Sequence, residues 1–268
     1  METDMIKLGI IGCGNMGGAI LRRALAGGLI RANEIAAADK NTALRDSLAK
    51  ELGVHAAENA EAAKAPCVLL AVKPQFLPEV GRDIAPVIAK DALVLSIAAG
   101  YDLAMLHGLL GSAHIVRIMP NTPALVGEGV MAACRDENVT EEEWAFALRL
   151  LSCLGLAKEV PERLMDAVTG MSGSSPAFVF LFMEALADAG VRGGLPRETA
   201  LNMAAQVMLG CGKLALETGK HPAQLKDMVT SPAGTTIEGV AVLEKRGFRG
   251  AVMEAVQAAI DKSKSFHK

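Results

Sequence analysis

A doubly wound parallel β-sheet covered by helices, followed by an all-helical region, is the architecture this sequence predicts. Three observations predict it. Short apolar runs alternate with helical stretches through the first part of the chain. A glycine-rich turn joins the first run to the first helix. The strand pattern then stops near Pro161, and only helical periodicity continues. The expected domains are 1–161, with the sheet, and 162–268, all helical.

Leu8, Ile10 and Ile11 end the first buried strand. Gly12, Gly14 and Gly17 follow in G-x-G-x-x-G spacing, and a helix is expected over Met16 to Gly27. In the dinucleotide-binding (Rossmann) turn the first glycine allows the tight bend. The second lets backbone approach a pyrophosphate, and the third packs helix on strand. The N–H groups of Cys13 to Gly17, with Asn15 and Met16 opening the helix, then face the phosphates. A merely structural turn would show the same glycines, but not as readily between an apolar strand and a helix.

Glu34 to Ala38 reads as the second strand, and Asp39 ends it at about the 20-residue offset at which an acid accepts ribose hydroxyls. That favours NADH. Lys40 and Asn41 point the other way, since a cation and small polar groups could hold a 2′-phosphate. A turn or helix-capping role for Asp39 also fits.

Helices are expected over Thr42 to Leu52 and Asn59 to Lys64. Cys67 to Val72 is an apolar run of the kind a strand covered on both faces needs, ending at Lys73-Pro74. A helix over Pro78 to Lys90, a strand over Ala92 to Ile97, a helix over Leu103 to Leu110 and a strand over His114 to Met119 continue the alternation. Gly129 to Cys134 is a candidate strand, Glu141 to Leu154 a helix capped by Thr140, and Ala157 to Val160 the last strand. Beyond it, helices are expected over Arg163 to Gly190, Pro196 to Thr218, Pro222 to Val229, Thr236 to Arg246 and Phe248 to Phe266.

Composition removes several function classes. A net charge of −3 makes no electrostatic case for nucleic acid, and no basic amphipathic face argues for a membrane surface. Pro176 to Ala187 is the longest apolar helix stretch, too short to span a bilayer and interrupted by Glu184. The five cysteines are irregularly spaced without C-x-x-C, which suits a reducing compartment. The start lacks the basic and apolar regions of a leader. The expectation is a cytoplasmic protein. None of the five histidines has a partner at metal-ligand spacing, so no metal is expected.

Five stretches carry a family resemblance: A-V-K-P-Q (Ala71 to Gln75), S-I-A-A-G (Ser96 to Gly100), R-I-M-P-N-T-P (Arg117 to Pro123), D-A-V-T-G-M-S-G-S-S-P-A-F (Asp166 to Phe178) and Q-L-K-D-M-V-T-S-P-A-G-T-T (Gln224 to Thr236). The chain resembles the pyrroline-5-carboxylate reductase family over essentially its whole length. The resemblance implies reduction of 1-pyrroline-5-carboxylate to L-proline by hydride from NADPH or NADH. It implies a helical domain that interlocks with a second subunit to form a homodimer, often assembled as a decamer of five dimers. It places the substrate between the nicotinamide and a loop of the partner's helical domain.

By the same resemblance, Ala71, Val72, Lys73, Pro74, Ala98 and Ala99 line the nicotinamide side. Asn59 contacts the adenosine and Asn121 orders the turn beside the nicotinamide. Ser231, Ala233, Gly234, Thr235 and Thr236 cradle the substrate carboxylate, Thr236 bonds the ring nitrogen, and Thr169 or Ser174 faces the imine. From the residues alone, Asn59 fits an N-cap, the Ser231 to Thr236 turn fits a Ser/Thr-capped helix start, and Ser172, Ser174 or Ser175 fits capping.

The chain departs from the family pattern at Ala233, for a glycine, at Met228, for an asparagine, at Ser175, for a glycine, and at Phe178, for a tyrosine. The alternatives are another imine or β-hydroxyacid reductase, of which the β-hydroxyacid type should show G-x-x-x-K-x-x-x-N after Pro161, and a non-catalytic nucleotide sensor, which should lose the S-P-x-G-T-T turn. This chain lacks the first motif and keeps the second.

Overall fold

The computed structural model describes residues 5–111 and 114–267. The side chain of His267 and the first four residues, part of the stretch read for a leader, lie outside that description.

Eight strands form one sheet. They are β1 (Leu8–Ile11), β2 (Ile35–Ala38), β3 (His55–Ala56), β4 (Cys67–Leu70), β5 (Leu93–Ser96), β6 (His114–Met119), β7 (Gly129–Arg135) and β8 (Gly155–Glu159), in the spatial order β3-β2-β1-β4-β5-β6-β7-β8. Between them run α1 (Asn15–Ala26), α2 (Thr42–Leu52), α3 (Asn59–Ala62), α4 (Leu77–Ile84), α5 (Leu103–Leu110) and α6 (Glu141–Ser152). Strands β1, β2, β4 and β5 are buried at every residue. Leu8, Ile10, Leu69 and Leu95 belong to one core layer, while Ile11, Val68, Leu70 and Val94 belong to the other. Helices therefore cover both faces, and the apolar runs need no polar alternation.

The order reverses direction between β1 and β4, the switch point outside which ligands bind in such sheets. Close packing there depends on Gly9, where a Cβ would lie 1.9 Å from the Ala62 carbonyl oxygen.

The sheet is not wholly parallel as expected. β7 runs antiparallel to β6, with Arg117 opposite Cys134, and β8 is parallel to β7. The connection from β6 to β7 is a 3-10 turn, Thr122–Val126. It is too short for the helical crossover a parallel neighbour requires.

Other boundaries shift for local reasons. α4 ends at Ile84 rather than Lys90, because Pro86 has no N–H to continue the helical hydrogen-bond ladder. α3 ends at Ala62, and the two-residue strand β3 is too short to leave a periodic signature. The single helix expected over Arg163 to Gly190 is four pieces. A 3-10 turn (Glu162–Leu164) leads into α7 (Met165–Val168), a π turn (Thr169–Gly173) and α8 (Ser175–Arg192).

The chain packs as two compact units. The first runs to Gly173 and takes in the chain from Ala259 onward; the second is Ser174–Ala258. Residues just after Pro161 are tied to the sheet. Glu162 Oε1 accepts from the Leu103 N–H at 2.7 Å and pairs with Arg117 at 3.2 Å. Asn121 Nδ2 donates to the Ser172 carbonyl at 3.1 Å.

The second unit is helical: α8, then α9 (Arg197–Thr218), α10 (Pro222–Met228), α11 (Thr235–Lys245) and much of α12 (Phe248–Lys264). α8 packs along α9 through Ala187, Ala200 and Ala204. Much of its apolar surface stays open, including Phe180, Leu181, Met203, Val207, Leu209 and Val242. An apolar patch of this extent marks an interaction surface. The helical run 162–192 is longer than the Pro176 to Ala187 stretch read as too short. By length and composition alone it reaches membrane-spanning size.

Candidate active site

The glycine turn is built as the spacing requires. Gly12 has φ +104°, and a Cβ there would lie 2.6 Å from the Ala71 carbonyl carbon. A Cβ on Gly17 would lie 2.0 Å from the Gly12 carbonyl oxygen, so α1 rests directly on the turn. Gly14 is the N-cap of α1 and offers no side-chain acceptor. A Cβ built there would meet nothing within 4 Å. The first-turn N–H groups of α1, from exposed Asn15 and half-buried Met16 onward, thus lack a side-chain cap beside open space. That cradle fits a pyrophosphate.

Asp39 is fixed by two backbone donors. Its Oδ2 accepts from the Cys13 N–H at 2.7 Å and its Oδ1 from the Asn41 N–H at 2.8 Å. It is a turn residue that staples the β2 end to the glycine turn. The helix cap is Asn41, whose Oδ1 accepts from Leu44. The Cys13 N–H, expected to face the phosphates, donates to Asp39 instead. The Cys13 thiol turns into the core, and burial together with the Asp39 charge pushes it up to about 11.

A cavity of about 380 Å³ opens here, lined by Gly12, Gly14, Asp39, Asn59, Ala71, Val72 and Lys73 among others. Seven of the expected cofactor residues thus converge. Asn59 is the first residue of α3; the cap is Glu58, so the alternative N-cap role is set aside. Sequence reasoning missed Phe76, Glu79, Val80 and Asp83, which line the same cavity from α4 and the turn before it. Their three- and four-residue spacing after Lys73-Pro74 was the available signal.

The expected cofactor residues Pro74, Ala98, Ala99 and Asn121 do not line this cavity. Ala98 is buried in the core, while Pro74 and Ala99 line a separate cavity with Gln75, Gly100, Tyr101, Met105 and Phe266. Asn121 orders its turn: Oδ1 accepts from the Val130 N–H at 2.8 Å while Nδ2 reaches Ser172.

Thr169 and Ser172 donate their hydroxyl protons to the carbonyls of Met165 and Val168, both at 2.9 Å. Neither caps a helix, and Ser174 makes no side-chain cap bond. The Thr169 oxygen retains acceptor capacity only.

In the second unit, α11 begins at Thr235 with Gly234 as N-cap, which rules out a Ser/Thr-capped start. Ser231, Ala233, Thr235 and Thr236 are exposed, and the turn is closed by the Gly234 N–H donating to the Ser231 carbonyl at 3.1 Å. The uncapped N–H groups of this helix can hold a carboxylate. Ala233 has φ +56°, the left-handed region that favours glycine. Ala233→Gly is expected to stabilise the second unit by about 0.5–1 kcal/mol. Urea denaturation checks it; a destabilised variant would mean that the methyl group packs.

Among the described residues, no group of three or more His, Cys, Asp and Glu is placed to hold a metal.

Residues 162–266 match the family model for pyrroline-5-carboxylate reductase dimerisation, and residues 7–100 match that for NADP oxidoreductase, coenzyme F420-dependent. The chain is 46% identical over 269 residues to the pyrroline-5-carboxylate reductase of Escherichia coli strain K12, covering 98% of each. This chain belongs to the pyrroline-5-carboxylate reductase family. Solved structures of the family agree. One from Coxiella burnetii matches with a TM-score of 0.92 at 34% identity, over 98% of this chain and 99% of that one. A Plasmodium falciparum pyrroline carboxylate reductase with NADP bound matches with a TM-score of 0.86 at 35% identity, over 99% and 100%. The dimerisation model spans the exposed apolar face of α8 and α9.

Proposed function

We propose that this chain reduces 1-pyrroline-5-carboxylate to L-proline with NADH or NADPH, the last step of proline synthesis. One observation carries the reading furthest. The same chain holds a glycine-turn crevice fit for a dinucleotide and an uncapped α11 start fit for a carboxylate. Residues 1–161 serve the cofactor; 162–268 serve substrate and dimerisation.

The cofactor supplies a hydride to the imine carbon. The protein must orient the imine and hold a proton on its nitrogen. Ser231, Ala233, Gly234, Thr235 and Thr236 seat the carboxylate through backbone N–H groups and hydroxyls, and Thr236 Oγ1 faces the ring nitrogen. Thr169, its own proton committed to Met165, accepts the N–H of an iminium rather than protonating it. Protonation then precedes binding, and no strong general acid is needed.

The active assembly is a homodimer in which the α11 turn of one subunit meets the crevice of the other, built further into a decamer of five dimers in the cytoplasm. It engages neither nucleic acid nor membrane. All five cysteines are unpaired, which supports a reducing compartment.

The test is loss of dihydronicotinamide absorbance with and without pyrroline-5-carboxylate. Substrate-dependent oxidation yielding proline is expected. Cofactor binding without turnover would overturn the substrate and favour the sensor alternative. The Asp39 carboxylate in the crevice opposes a 2′-phosphate. Asp39→Ser is therefore expected to raise the NADPH-to-NADH ratio of kcat/KM about tenfold. An unchanged ratio would sink that role.

A further inference from the structure

We propose that Lys40 is the specificity residue that admits a 2′-phosphate, working as a clasp that Phe76 holds until the phosphate arrives. The proposal rests on the dinucleotide reading of the crevice and goes beyond it by naming which side chain selects the cofactor.

Lys40 follows Asp39 directly and lines the cavity with Gly12, Gly14 and Asn59. It makes no ion pair among the described residues. Its Nζ instead lies 3.2 Å from the centroid of the Phe76 ring. Lys40 sits between β2 and α2, and Phe76 just before α4, so the contact bridges two loops across the mouth of the cavity. A cation over a half-buried phenylalanine is a weak contact. An ammonium on a phosphate is a charge-assisted one and stronger. The exchange therefore favours release of Lys40 toward the ligand.

The remaining charges make Lys40 decisive. The cavity carries three carboxylates, on Asp39, Glu79 and Asp83, against two ammonium groups, on Lys40 and Lys73. Asp39 is held in place by the Cys13 and Asn41 N–H groups and cannot withdraw without breaking them. A 2′-phosphate beside it needs a local cation, and Lys40 is one residue away. Nicotinamide dinucleotide without that phosphate needs none.

The test uses 2′,5′-ADP and 5′-AMP, which differ by that phosphate, titrated calorimetrically into the full-length protein. Lys40→Met keeps the side-chain length and removes the charge. It is expected to weaken 2′,5′-ADP about tenfold or more while 5′-AMP changes less than about twofold. Lys40→Arg should restore 2′,5′-ADP binding. Phe76→Leu should bind 2′,5′-ADP at least as well as the native chain, since Lys40 no longer has a ring to leave. Equal weakening of both probes by Lys40→Met, or of neither, overturns the proposal, as does loss of 2′,5′-ADP binding in Phe76→Leu. A native chain that binds neither probe and no NADPH would instead overturn the dinucleotide reading beneath it.

Discussion

Gly12→Ala is expected to abolish dinucleotide binding and to destabilise the sheet unit. At φ +104° an alanine is strained, and its Cβ would stand 2.6 Å from both the carbon and the oxygen of the Ala71 carbonyl. Those are backbone atoms of the segment that follows β4, so no side chain can rotate away. Either the glycine turn or that segment must move. The segment carries Ala71, Val72 and Lys73, three of the residues lining the cavity. Strain and overpacking together should cost about 2–4 kcal/mol, and a displaced cradle should weaken NADH and NADPH at least about 100-fold. Gly14→Ala is the paired control. A Cβ there meets nothing within 4 Å, so stability should hold while the added methyl group intrudes on the phosphate cradle. Denaturation and cofactor titration of both variants check the pair. A Gly12→Ala protein binding cofactor within about threefold of native would contradict the assignment of the turn.

Thr236→Ala is expected to lower kcat/KM for pyrroline-5-carboxylate by about 30- to 100-fold, the loss of one hydrogen bond to a charged group. Thr236 is exposed on the first turn of α11, so its removal should leave folding intact. Thr236 belongs to the second unit, whereas the residues of the dinucleotide cavity belong to the first. Cofactor affinity should therefore be unchanged, and Thr236→Ser should recover most of the activity. Steady-state kinetics with a separate cofactor titration distinguish the cases. A parallel loss of cofactor affinity would place Thr236 in the wrong site.

Some of this protein was legible in its sequence. The glycine turn, the buried runs at β1, β4 and β5 and the bounds of α2 followed from unbroken apolar stretches, the 3.6-residue period and turn chemistry. These are short-range effects that a few neighbouring residues set. The S-P-A-G-T-T stretch and D-A-V-T-G carried the family for a similar reason, being contiguous.

Tertiary structure decided what depends on distant partners. The reversal of β7 follows from a turn too short to carry a crossover, not from any preference within Gly129–Arg135. Asp39 reads from the sequence as a ribose acceptor, a turn residue or a cap. Only the fold brings it under the Cys13 N–H, 26 residues away, and makes it the staple of the turn. Cys13 sits inside the phosphate motif, yet its side chain belongs to the core because the turn points it inward. Ser172 read as a cap and Thr169 as a group facing the imine, but the π turn sends both hydroxyl protons to carbonyls four residues back. Lys40 and Phe76 lie on separate loops with no sequence signal linking them; the switch point between β1 and β4 brings those loops to one mouth. Periodicity determines which face of an element is apolar, whereas the partner of a polar group is determined by where the sheet carries it.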